Sequence, residues 1–266
     1  MNGQQRWQMF GIVVVLGALF AWMIHLTTPD AAPVTKTEKL EAHTSFYSIK
    51  AAYPDEKWDK VGAMKQYVTQ LVDARKQSWS ATSDAYKEEL KLRKQFPDRP
   101  KMKYELNVTF EKSTNATFGT ISYLFNVYEF TGGANGQNTV ASFTWDKNGA
   151  VDLQSILSFA NNNDILLTQM IRSQAILSYP GITLSDIQQL DQGLGLAFLD
   201  ADGVTLNKAK CKCDGYFYGS NAMNFMLKDD GITFAYNEYA ILPGSYGAPT
   251  VTLSWDAVQP LLVATK

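Results

Sequence analysis

Histidine is nearly absent from this chain. Only His25 and His43 occur, both before the main body of the sequence, so that body has no imidazole to offer. A Ser-His-Asp or Cys-His nucleophile needs an imidazole base, and the common zinc sites need at least one His or four Cys. Neither constellation can be built, so no catalytic residue and no metal ligand is assigned. Blocks of like charge are also missing: 24 Lys and Arg face 26 Asp and Glu, for a net charge of −2. Without a basic stripe there is nothing to track a phosphate backbone, which excludes nucleic acid as a partner. Cofactor fingerprints are absent too. The run Gly132-Gly133-Ala134-Asn135-Gly136 is followed by strand sequence, not by the Gly-Lys-Ser/Thr of a phosphate loop or the helix of a dinucleotide fold. No cofactor is expected.

What is present begins with an apolar N-terminus. Phe10 to Leu26 carries no Asp, Glu, Lys or Arg, and is too apolar all round for an amphipathic helix. As a helix it rises about 26 Å, and Trp7 and Trp22 at the interfaces extend it towards the ~30 Å hydrocarbon core. The expected organisation is a short cytoplasmic tail (1–9), a transmembrane anchor (10–26), a polar linker (27–43) with Pro29 and Pro33, and an extracytoplasmic domain (44–266). Arg6 and the α-amine before the span, with the bulk of the chain after it, set that orientation. A cleaved signal peptide is the competing reading, with Asp30-Ala31-Ala32 as a partial cleavage pattern; either way the body is exported.

Within the body, Phe46 to Lys50 reads as a first strand. Apolar residues from Trp58 to Leu90 recur at helical steps, giving a long helix to about Lys94 before Pro97 and Pro100. The period then becomes two. Tyr104 to Phe110, Phe118 to Phe130 and Thr139 to Trp145 read as an antiparallel meander closed by the turn at Asn148-Gly149. Helices are expected over Asp164 to Leu177 and Leu184 to Leu190. A hairpin, Asn224 to Leu227 with Ile232 to Tyr236, a strand from Thr250 to Trp255 and a short helix complete the pattern. The fold class is α+β: a mostly antiparallel sheet, a long helix after the first strand and helices packed on one face, all preceded by one transmembrane helix.

Cys211 and Cys213 are the only cysteines. In an oxidising compartment a local disulfide between them is expected, with free or partner-linked thiols and a redox-active pair as the alternatives. Asp200-Ala201-Asp202-Gly203 fails as a calcium loop, because Phe198 and Ala209 would occupy ligand positions; a turn is the better reading. Glu129, Asp152, Asp200, Asp202, Asp214 and Glu238 lie near predicted strand ends, where carboxylates are common, and remain available as the acid and base of a carboxylate-dependent hydrolase.

Two blocks are distinctive. The first runs Phe130-Thr131-Gly132-Gly133-Ala134-Asn135-Gly136, then Ser142-Phe143-Thr144-Trp145-Asp146, Gly149 and Val151-Asp152-Leu153. The second runs Ile232 to Pro243, then Gly244-Ser245-Tyr246-Gly247 and Val251 to Trp255. Over roughly residues 45 to 264 the chain resembles the extracytoplasmic domain of RsiV-type anti-sigma factors and of the non-catalytic N-terminal region of PdaC-type peptidoglycan deacetylases. Asn135 stands where that family usually has His, so a role that depends on an imidazole there is not expected; only the short tail precedes the span, so sigma-factor sequestration is not expected either.

The resemblance implies a non-enzymatic, membrane-anchored binding or sensory domain of the cell envelope. Its implied partner is peptidoglycan or a wall-acting protein such as lysozyme; a carboxylate-dependent wall hydrolase and a structural envelope protein are the alternatives. The expected ligand surface joins Gly132, Gly133 and Asn135 to Tyr236, Tyr239 and Tyr246. The glycines let a partner approach the backbone and the tyrosines offer flat apolar faces with a hydroxyl.

Overall fold

The computed structural model describes residues 36–55, 61–98, 103–207, 209–210 and 224–263. Phe10 to Leu26 and the pair Cys211 and Cys213 lie outside these residues. Among the described residues no helix is long and apolar enough to cross a membrane.

Residues 37–266 form one compact unit. The first sheet has five strands in the order β1 (Thr37–His43), β2 (Tyr47–Pro54), β3 (Tyr104–Asn115), β4 (Thr120–Phe130) and β5 (Gln137–Trp145). All neighbours are antiparallel except β2 and β3, which run parallel in the register Ile49↔Leu106. A parallel pair needs a crossover, and the helices α1 (Val61–Ser78) and α2 (Asp84–Gln95) supply it. The sheet is therefore mixed. Two further differences concern its first half. Thr37–His43, read as linker, is an edge strand whose charged, exposed residues carry little hydrophobic pattern. The single long helix is two, because Ser83 caps a new helix by accepting the backbone N–H of Tyr86.

A second sheet holds β6 (Asn224–Lys228), β7 (Gly231–Ala235) and β8 (Thr250–Ser254), antiparallel throughout. Met64, Val68 and Val72 of α1 pack with Ile49, Leu106, Val108, Tyr123, Phe125 and Val127 on one face of the first sheet. On the other face Leu124 and Val140 meet Met226 and Ala235 of the second sheet. The outer face of that second sheet, through Ile232, Phe234, Val251 and Leu253, buries Leu167, Ile171 and Ala175 of α4 (Asn163–Ser178) and Leu190 of α5 (Leu184–Gly193). A four-residue helix α3 (Leu153–Ile156) lies before α4, and a matching one, α6 (Trp255–Val258), follows β8. Helices thus cover both outer sides of two stacked sheets, where helices on one face of a single sheet were expected. Alternation explains it: β4 is buried through odd and even residues alike, so both its faces need partners.

The edge of β5 is covered by side chains rather than by another strand. Backbone N–H groups of Asn138, Val140 and Ser142 donate to Glu238 Oε2 (2.7 Å), Asn237 Oδ1 (2.8 Å) and Asn224 Oδ1 (3.0 Å). Hydroxyls of Ser122 and Ser142 accept from the backbone of Leu227 and Phe225 in return. This seam satisfies a row of donors that would otherwise invite pairing with another chain.

Candidate functional site

The segment after β7 turns sharply and returns to β8. Tyr236 donates its backbone N–H to Pro249 O (2.9 Å), and its side chain is 0% exposed among Phe234, Ile241 and Leu242. It is a core residue, which removes it from any ligand surface. Glu238, 7% exposed, accepts from both the backbone N–H and Nδ2 of Asn138 through one oxygen, while its own N–H donates to Asn138 O (2.9 Å). Ala240 N–H closes a turn onto Asn237 O (3.0 Å). Held at both ends, Tyr239 takes φ +66°, a conformation that costs a bulky residue on the order of 1–3 kcal/mol and persists only where surroundings impose it.

Its side chain is 55% exposed. A Cβ on Gly244 would lie 2.2 Å from the Tyr239 ring, so the ring rests against a bare backbone that only glycine provides. Gly193, at the end of α5, makes a similar approach: a Cβ there would meet Ala240 O at 2.2 Å. These two contacts seat α5 directly beside Tyr239.

Between them opens a shallow cleft of ≈ 550 Å³, lined by Ser185, Gln188, Gln189, Gln192 and Gly193 of α5 with Tyr239 and Ala240. Positions 185, 188, 189 and 192 fall on one face of a helix, giving a stripe of hydroxyl and amide groups without formal charge. Thr183 caps this helix by accepting the N–H of Asp186, and the Asp186 carboxyl accepts from the backbone N–H and hydroxyl of Thr183. Tyr246, whose ring meets Tyr179 edge-on at 5.6 Å, adds its hydroxyl to Asp186 Oδ2 at 3.2 Å. Chiefly the Thr183 bonds, with a smaller contribution from Tyr246, hold the Asp186 carboxyl below the ordinary aspartate range. Tyr246 is thereby a bracing residue beside the cleft.

The bend after β4 occupies a neighbouring place. Gly132 and Gly133 have φ of +92° and +107°, and Gly133 and Asn135 are exposed. The structure brings the two distinctive blocks together through Asn138 and Glu238, yet Gly132, Gly133 and Asn135 do not line the Tyr239 cleft. Sequence reading missed Gln188, Gln189 and Gln192, which have no local signature. Their helical spacing was visible, but its partner lies some 50 residues downstream in a turn.

Glu129 pairs with Arg75 (2.7 Å) and Glu238 with Asn138; Asp152 stands at the N-cap position of α3, where its carboxylate makes no capping hydrogen bond. Asp202 accepts from Val204 and Thr205, and Asp200 from Asn207 Nδ2, so Asp200 to Gly203 is the turn that was expected. Asp214 lies outside the described residues. Among the described residues no group of three or more His, Cys, Asp or Glu is placed to hold a metal. A second cleft of ≈ 530 Å³, with Gln154, Phe159, Asn163 and Pro260 in its wall, includes no residue of the two exposed bends.

Two family models match the chain. Residues 40–138 match the one described as deacetylase PdaC, and residues 216–256 the one described as a protein of unknown function, DUF3298. No curated protein matches. Among solved structures, a DUF3298 family member from Bacteroides fragilis NCTC 9343 is similar at 18% identity and a TM-score of 0.52, covering 87% of this chain and 94% of its own. A DUF3298 family protein from Pseudomonas aeruginosa PAO1 reaches 15% identity and a TM-score of 0.49, over 86% and 94%. The resemblance drawn from the two sequence blocks is thus borne out: the chain is similar to PdaC-type and DUF3298-type sequences in that order, and shares the fold of the B. fragilis protein.

Proposed function

We propose that this chain is a membrane-anchored, extracytoplasmic ligand-binding or sensory domain of the cell envelope. The anchor is Phe10 to Leu26, and the partner is wall material: peptidoglycan or a wall-acting protein such as lysozyme. The observation that carries the proposal is the neutral cleft of α5 beside the exposed Tyr239, of which Tyr239 and Ala240 lie inside the segment matched by the DUF3298 model. A rigid aromatic face next to convergent polar groups is the composition of a recognition site. Binding is favoured over hydrolysis because Glu238, Glu129, Asp200 and Asp202 hold a seam, an ion pair and a turn.

The test is capture of the full chain, in a mild detergent, by insoluble wall sacculi and by immobilised lysozyme. Tyr239→Ala is expected to weaken capture by roughly 30-fold, the ~2 kcal/mol of an interface hot spot, with a melting temperature within about 1 °C of the parent. Gly244→Ala, which displaces the ring without removing it, should act in the same direction. Undiminished capture by folded Tyr239→Ala would exclude this surface.

A further inference from the structure

Resting on the reading of the Tyr239 cleft as a binding site, we infer that its ligand is a neutral oligosaccharide carrying acetamido groups. The four polar side chains of the cleft, Ser185, Gln188, Gln189 and Gln192, are uncharged. Each glutamine offers one carbonyl acceptor and two N–H donors, and serine both donates and accepts. Such a set matches groups that themselves donate and accept, namely sugar hydroxyls and secondary amides. A charged peptide or phosphate would meet no counter-charge in that wall and would lose hydration without compensation.

Tyr239 supplies the other half of the chemistry. A pyranose presents an apolar C–H face beside its hydroxyls, and an aromatic ring buries that face without demanding a hydrogen bond. The ring rests against the Gly244 backbone, which limits the side-chain freedom it has to lose on binding. Gln189 Nε2 spends itself only on a 3.5 Å contact with Tyr239 O, at the limit of a hydrogen bond, and can turn to a ligand. The cleft is shallow and open to solvent, with a volume of ≈ 550 Å³, which leaves room for a ligand that continues beyond it. A protein partner fits less well: its interface core is usually apolar, and no aliphatic side chain larger than Ala240 lines this wall.

The experiment is calorimetric titration of the full chain in detergent with chitotetraose, cellotetraose and lysozyme. Saturable chitotetraose binding is expected, with cellotetraose at least tenfold weaker because it lacks the amides. Gln188→Ala with Gln192→Ala should weaken chitotetraose at least tenfold at an unchanged melting temperature, whereas Tyr239→Phe should retain it. Equal affinity for both tetraoses would overturn the acetamido preference. Tyr239-dependent capture of lysozyme without any chitotetraose binding would overturn the saccharide class and leave the binding surface standing. Capture independent of Tyr239 would remove the surface itself.

Discussion

Tyr236→Ala is expected to destabilise the protein by about 3–5 kcal/mol, the cost of truncating a fully buried aromatic and leaving a cavity. Tyr236 is 0% exposed and sits where β7 leaves the second sheet, packed in the cluster that joins both sheet and helices α4 and α5. For a domain of this size the loss corresponds to a fall of roughly 10 °C in melting temperature. The neighbour three residues on should behave in the opposite way. Tyr239→Ala removes an exposed ring, so it should leave stability within about 0.5 kcal/mol while weakening binding roughly 30-fold. Thermal denaturation of the two variants side by side gives the contrast; similar melting temperatures would mean that the core assignment of Tyr236 is wrong.

Glu238→Ala should cost about 3 kcal/mol, and should do so through the seam rather than through a cavity. One carboxyl oxygen receives two donors of Asn138, at 2.7 and 2.9 Å, in a place that is 7% exposed. Alanine would leave both donors without an acceptor, and hydrogen bonds to such groups are worth about 1.5–3 kcal/mol when broken from one side. Glu238→Gln keeps a carbonyl acceptor in place and should cost about 1 kcal/mol. Hydrogen exchange localises the effect: the amides of Asn138 and Val140, at the edge of β5, should lose protection before those of β3 and β4. A neutral Glu238→Ala, or protection lost uniformly, would mean that the edge is held by packing alone.

Much of this architecture can be read from residue order, and the parts that cannot have physical reasons. The meander β3 to β5 follows from period-two alternation, but β3 continues five residues past Phe110 to Asn115, through polar residues that read as a turn and are instead paired with β4. Alternation carries no information about direction, however, so β2 and β3 read like any antiparallel neighbours. The helices between them were the clue to a parallel pair. β1 is illegible for a different reason: Thr37-Glu38-Lys39-Leu40-Glu41 is an edge sequence, protected by charge, and protection looks like a linker. The break between α1 and α2 was written in Ser80, Thr82 and Ser83, residues that favour caps over helix interiors.

The candidate site divides along the same line. Tyr239 stood out by its block, but nothing local separates it from Tyr236, since both lie in one tyrosine-rich stretch and only tertiary packing sends one inward. Gly132 and Gly133 announce a backbone bend and deliver one, with φ of +92° and +107°. Gly193 and Gly244 announce nothing by themselves. Their meaning lies in what a Cβ would strike, the carbonyl of Ala240 and the ring of Tyr239, and those partners are supplied by the fold.

The central claim, that the α5 and Tyr239 cleft is the ligand site of this domain, is tested most directly by following glutamine side chains. With ¹⁵N-labelled full-length protein, soluble wall glycan fragments should shift the side-chain amides of Gln188 and Gln192 in a saturable way. Gln154, in the wall of the second cleft, should stay in place as an internal control. Movement of Gln154 with Gln188 and Gln192 unmoved would contradict the claim and place the ligand in the other cleft.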